Sequence, residues 1–75
     1  MNQEKFLQVY KRILEEEIKK NPDNFAIKDA NVVFERMKPA IIKGSFDKDS
    51  ACFRRTCREL GIRHTYKAIK EFITS

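Results

Sequence analysis

Apolar side chains recur three or four positions apart along four segments of this sequence, the spacing of amphipathic helices. No segment alternates apolar and polar residues as a half-buried strand would. Residues 3–20 form the first segment, and Asn21 and Pro22 end it because proline cannot extend a helix. Its apolar positions are Phe6, Leu7, Tyr10, Ile13, Leu14 and Ile18. The pattern predicts an all-α fold that begins with a helix of about five turns.

A second helix is predicted between Asp29, a suitable N-cap, and Gly44. We expect the loop before it to fold Phe25 and Ile27 back over the core. Pro39 lies inside the segment, and a proline in a helix interior costs about 3 kcal/mol. However, Pro39 lies away from the apolar line, where a kink that opens the outer face would bend the helix around the core. We therefore expect one kinked helix.

The remaining segments predict two shorter helices. Asp49 or Ser50 can cap the third helix, and Gly61 ends it. Its buried line is expected to be Phe53, Cys57 and Leu60. Thr65 can cap the fourth helix, whose inward residues are expected to be Tyr66, Ile69, Phe72 and Ile73. The prediction is a compact bundle of four helices in a single helical domain, residues 1–75.

Length and composition narrow the class of protein. A chain of 75 residues with 41% apolar and 36% charged residues is typical of one folded domain. No run approaches the roughly 18 apolar residues of a membrane span, and the N-terminus lacks the features of a signal peptide, so we expect a cytoplasmic protein without a membrane partner. Cys52 and Cys57, five positions apart on one helix, diverge by about 140° and are expected to be reduced thiols, with Cys57 in the core.

The sequence contains few combinations of residues that could form a catalytic or metal site. A structural zinc site takes four ligands, whereas Cys52, Cys57 and His64 supply three, with the cysteines on divergent faces. The consecutive carboxylates of residues 15–17 point in different directions around their helix and are expected to be a solvated face. We therefore predict no enzyme activity, no metal and no cofactor.

Positive charge is concentrated in the second half of the chain. Residues 43–75 contain 8 Lys and Arg against 4 Asp and Glu, and residues 1–42 contain 8 against 7, which together give the net charge of +5. A basic excess of this kind attracts polyanions such as nucleic acid. The alternative is that these residues form an ordinary solvated surface and bind no partner.

The run FRRTCRELGI resembles the first half of a helix-turn-helix motif, with a small residue, Cys57, four positions before the turn glycine, Gly61. The second half departs from the motif, because its apolar anchors come one position early, at Tyr66 and Ile69. Either the turn is one residue shorter than standard, or these helices form an ordinary bundle corner. The resemblance implies nucleic-acid binding by a basic helical surface, with duplex DNA as the expected ligand. Its expected base contacts are Arg63, His64 and Lys67, and its expected phosphate contacts are Arg54, Arg55, Arg58 and Lys70.

The longer run KGSFDKDSACFRRTCRELGIRHTYKAIKEF resembles the C-terminal segment of small uncharacterised proteins of phages and prophages. The shared arrangement is GS-x-x-KD followed by TC-x-x-LGI-x-HTY-x-AI. This resemblance implies a bacterial or phage setting and an accessory role, and it implies no particular activity.

A protein partner is the rival hypothesis. Leu7, Tyr10 and Leu14 widen the apolar face of the first helix beyond what a four-helix core of this size needs. This edge could be the seam of a homodimer or the contact surface of a protein-interaction module.

Overall fold

The computed structural model describes residues 2–75, which form four α-helices and a short 3-10 turn at Pro22–Asn24. The helices are α1 (Asn2–Lys20), α2 (Ala30–Lys43), α3 (Ala51–Leu60) and α4 (Tyr66–Thr74). No strand forms within residues 2–75. The predicted all-α bundle of four helices is confirmed, and its extents are 33 × 21 × 19 Å.

The residues that begin three of the helices are the predicted N-caps. The Asp29 carboxylate accepts hydrogen bonds from two amides in the first turn of α2. The Ser50 hydroxyl accepts from the Phe53 amide at 3.5 Å, and the Thr65 hydroxyl accepts from the Ala68 amide at 3.1 Å. Each bond satisfies an amide that has no partner inside its helix. Of the two caps considered for α3, the structure uses Ser50.

The two glycines end α2 and α3 as predicted. Gly44 and Gly61 have φ angles of 87° and 69°, in the left-handed region that other residues enter only at a cost. Pro39 lies inside α2, which continues to Lys43, so the prediction of one helix rather than two is confirmed. Pro39 is exposed, and water can therefore bond the backbone carbonyl that the proline leaves without a donor.

Helix α1 is the centre of the fold. Each of the other three helices contacts α1 more extensively than it contacts the remaining two. The buried residues of α1 cover an arc of about 140°, at 100° of rotation per residue, because the helix has neighbours on several sides. These residues are Phe6, Leu7, Tyr10, Ile13, Leu14 and Ile18.

The apolar edge that we considered as a partner surface is therefore not on the surface. Leu7, Tyr10 and Leu14 are only 7%, 3% and 1% exposed, because α2, α3 and α4 together cover the whole apolar arc of α1. The width of this face reflects the central position of α1 within its own domain.

An aromatic cluster fills the space between α1 and α3. The Phe53 ring lies 4.9 Å from the Tyr10 ring and 6.1 Å from the Phe6 ring, measured between centroids. On its other side Phe53 stacks on Phe46, with centroids 4.5 Å apart and planes 5° apart. Offset and tilted aromatic pairs of this kind add to the free energy gained from burial alone. Phe53 therefore joins α1, α3 and the loop between α2 and α3.

Tyr66 differs from its prediction as an inward residue. Its ring is 5.3 Å from that of Phe46, but its hydroxyl donates to the Phe46 carbonyl at 2.8 Å and the side chain is 47% exposed. The polar tip of a tyrosine favours this position at the rim of a core. In the loop after α1, Phe25 packs against the core as expected, whereas Ile27 is half-buried outside it.

Both cysteines are buried free thiols, which confirms the core position of Cys57. Burial raises the pKa of Cys52 to about 11 and raises that of Cys57 as well. Among the described helices, none has the length and apolar character needed to cross a bilayer.

Candidate nucleic-acid interface

The structure divides the seven predicted nucleic-acid contacts into three groups. One group, Arg54, Arg58, Arg63 and Lys67, is exposed along α3, the connection after it and the first turn of α4. A second group, Arg55 and His64, is partly buried and bonded to other parts of the chain. Lys70 is exposed but faces a different groove, between α4 and α2.

Arg54 and Arg58 lie one helical turn apart and therefore share one side of α3. They line a shallow groove of about 220 Å³ whose other walls are Cys57, Ile62 and His64. The Arg54 Nε donates to the Asp49 carbonyl at 3.2 Å, which holds that side chain beside the start of the helix. This side of α3 presents two guanidinium groups above a partly apolar floor.

Arg55 points to a different side of α3, toward α1. Its guanidinium donates to Glu17 Oε2 at 2.8 Å and to Glu16 Oε1 at 2.6 Å. The hydrogen bond from Arg55 holds the pKa of Glu16 below its usual range, and the same bond raises the pKa of Arg55. Because two carboxylates already occupy this guanidinium, we leave Arg55 out of the interface.

A second ion pair between the same helices joins Arg12 of α1 to Glu59 of α3. Arg12 also bonds Glu16 at 3.2 Å. The α1-facing side of α3 is therefore a network of two cations and three carboxylates, and such a network offers little to a polyanion.

His64 connects two loops. Its Nε2 donates to the Lys48 carbonyl in the loop before α3, and the Asp49 carboxylate lies 3.5 Å away. A hydrogen bond from the Lys48 ammonium, at 2.9 Å, lowers the pKa of Asp49. Since Nε2 is engaged within the chain, we assign His64 to holding the connection between α3 and α4 rather than to a phosphate.

The connection between α3 and α4 consists of the five residues Gly61–Thr65. A helix-turn-helix joins its helices by three or four residues. The connection in this chain is longer than that, and the His64 bond and the Thr65 cap hold the end that leads into α4. The Ile62 amide also donates to the Cys57 carbonyl at 3.0 Å, so both ends of the connection are fixed.

Arg54, Arg58, Arg63 and Lys67, hereafter the basic face, have no carboxylate partner within 4.0 Å anywhere in residues 2–75. By contrast, Lys48 has one carboxylate partner, and Arg12 and Arg55 have two each. Glu59, the acidic residue nearest to Arg58 in sequence, is turned toward Arg12. The positive charge of the basic face is therefore not neutralised within the described chain.

Sequence reasoning missed the bonds that separate these groups. The Arg55 pairs join residues 38 and 39 positions apart, and the His64 bond spans 16 positions. The run of carboxylates at residues 15–17 was the available signal, because a helix rich in arginine is a natural partner for it.

Within the part of the chain that the structure describes, no three His, Cys, Asp or Glu side chains are grouped in a way that could hold a metal ion. No protein-family model, curated protein or solved structure matches this chain.

Proposed function

We propose that this chain binds nucleic acid, and duplex DNA in particular, through the basic face. The observation that carries the proposal is that four exposed cations cluster on consecutive elements without an acidic partner among the described residues, whereas Arg55 on the same helix bonds two carboxylates. A cluster of this kind gains free energy by displacing counterions from phosphates. The net charge of +5 adds long-range attraction to the same polyanion.

The local geometry suggests a division of roles. Arg54 and Arg58 are on one side of a helix, where they can neutralise successive phosphates. Arg63 lies between two fixed points, the Ile62 amide bond and the His64 bond, so little backbone entropy is lost when it binds. Arg63 and Lys67 are therefore the residues we assign to base edges, where arginine can bond guanine in a bidentate manner.

The proposed function is binding without catalysis. We assign it to the cytoplasm of a bacterial cell, free or phage-infected, because residues 43–72 resemble phage and prophage proteins. That setting brings the chain into contact with DNA and requires no membrane partner.

Binding to a random-sequence duplex should weaken by about 150-fold between 50 and 200 mM salt. This value follows because each phosphate contact contributes about −0.9 to the slope of log affinity against log salt. On a random-sequence duplex, where no base is selected, all four cations of the basic face can contact phosphates. The measurement is fluorescence anisotropy of a labelled duplex of about 20 base pairs. A slope shallower than about −1, or the absence of binding in 50 mM salt at micromolar concentrations, would contradict the proposal.

A further inference from the structure

Two of the three large apolar side chains that the described structure exposes flank a single groove. Ile42 is 50% exposed and Tyr66 is 47% exposed, and they stand on either side of a groove of about 260 Å³ between the end of α2 and α4. The third, Val32, is 42% exposed and lies outside the groove. Exposed apolar side chains clustered at one concave site, unlike isolated ones, indicate an interaction surface.

The groove exists because α2 and α4 contact each other less than either of them contacts α1. Ile41 and Ile73, both buried, form its floor, and Phe46 closes one end. Gly44 leaves the neighbouring wall open, since no atom lies within 4 Å of where its side chain would begin. The floor is therefore part of the core, and the accessible apolar surface of the groove belongs to Ile42 and Tyr66.

Every charged side chain that lines the groove is positive. Lys43 lies in the last turn of α2, Lys70 lies on α4, and no Asp or Glu is among the lining residues. The Lys48 ammonium also stands 5.7 Å from the centre of the Tyr66 ring. The site is an apolar floor with a basic rim.

We propose that this groove docks a short acidic amphipathic segment of a partner protein. One apolar anchor side chain enters between Ile42 and Tyr66, and flanking carboxylates bond Lys43 and Lys70. The volume of about 260 Å³ suits one or two side chains, since sites for small molecules usually occupy about 300–1,000 Å³. Laying an amphipathic segment in a groove between helices is a common mode of peptide recognition.

A second copy of this chain does not fit the groove. The chain has a net charge of +5, and the one large exposed apolar residue outside the groove, Val32, is followed by both an acid and a base at Glu35 and Arg36. The acidic residues of α1 accompany apolar residues that are buried. No described segment therefore combines a large exposed apolar side chain with acidic residues alone, as the occupant must.

The inference does not depend on DNA binding, because the groove and the basic face share no residue. It reassigns Lys70 from phosphate contact to the rim of the groove. Loss of duplex binding would leave the groove proposal intact, and loss of peptide binding would leave the basic face intact.

The test is selection of a random 12-residue peptide library against the folded chain, followed by affinity measurement of the enriched peptides. We expect peptides with a Leu, Ile or Phe anchor beside Asp or Glu. Ile42→Ser should weaken the affinity for these peptides at least about tenfold, as loss of a central contact does. The double variant Lys43→Glu/Lys70→Glu should weaken it by the same factor. The matched control Val32→Ser removes an equally exposed apolar side chain and should leave affinity unchanged.

Mapping by NMR separates this site from other surfaces. Addition of an enriched peptide to labelled protein should shift amides of residues 41–46, 66, 70 and 73. The proposal is overturned if no peptide is enriched, if the enriched peptides are basic, or if Ile42→Ser and Val32→Ser affect binding equally. Competition with a DNA duplex should be weak, and peptide shifts confined to residues 54–67 would likewise overturn the assignment to this groove.

Discussion

Replacing Phe53 with alanine is expected to lower the melting temperature by roughly 15–30 °C. Truncation of a buried phenylalanine costs about 3–5 kcal/mol, and in a domain of this size each kcal/mol corresponds to about 4–8 °C. We expect Phe53 to fall within this energy range because its ring contacts Phe6, Tyr10 and Phe46, which come from α1 and from the loop before α3. The total free energy of unfolding of such a domain is only about 4–11 kcal/mol.

Circular dichroism at 222 nm during thermal and urea unfolding measures this loss. Val32→Ala is the control, because Val32 is an exposed apolar residue of α2 and its truncation should change the free energy of unfolding by less than about 0.5 kcal/mol. A loss below about 1 kcal/mol for Phe53→Ala would mean that the aromatic cluster does not hold α3 against α1.

The double reversal Arg58→Glu/Lys67→Glu is expected to weaken duplex DNA binding more than a hundredfold in 50 mM salt. A hydrogen bond to a charged group is worth about 1.5–3 kcal/mol, so losing two exceeds the roughly 2.7 kcal/mol that a hundredfold change requires. The slope of log affinity against log salt should also fall to about half its original value, since two of four phosphate contacts are lost. Anisotropy of a labelled duplex reports both quantities.

The fold should tolerate this double reversal. Both side chains are exposed and neither has a carboxylate partner in the described chain, so no internal ion pair is lost. A glutamate at position 67 also lies in the first turn of α4, where the helix dipole favours a negative charge. The unfolding transition should therefore remain close to that of the original protein.

Lys5→Glu/Lys38→Glu is the matched control for total charge. Each double variant changes the net charge from +5 to +1, but Lys5 and Lys38 lie on α1 and α2, away from the basic face. The control should retain most of the affinity because only long-range attraction is reduced. Equal losses in the two variants would indicate attraction by net charge without a defined site.

The helix ends were predictable because they depend on neighbouring residues. Asp29, Ser50 and Thr65 each bond an amide two or three positions ahead, and Gly44 and Gly61 adopt a conformation that their own lack of a side chain permits. Information of this kind is present in any window of a few residues. The number and order of the helices follow from it.

The sequence could not predict which charged residues lack an ion-pair partner, because this depends on how the helices face each other. Arg54, Arg55 and Arg58 are equivalent in sequence, yet only Arg55 meets the carboxylates of α1. The same applies to Tyr66, whose hydroxyl finds the Phe46 carbonyl only after the loop before α3 has folded beside α4. Contacts between distant positions therefore reduced the predicted set of seven residues to the four of the proposed interface.

For a related reason, the sequence did not show that the apolar edge of α1 is buried within the domain. A wide apolar arc fits two cases. Part of the arc can remain exposed for a partner protein, or other helices of the same domain can cover all of it. Leu7, Tyr10 and Leu14 belong to the second case because α2, α3 and α4 all pack on α1. The large apolar side chains that remain exposed are on α2 and α4 instead, at Val32, Ile42 and Tyr66.

The measurement that tests the proposed DNA-binding surface most directly is an NMR titration of isotopically labelled protein with a short random-sequence duplex in 50 mM salt. The basic face predicts that the largest amide shifts lie within residues 54–67, with little change in α1 or at residues 41–46, and that raising the salt to 200 mM reverses them. No shift in 50 mM salt, or shifts centred outside residues 54–67, would contradict the account.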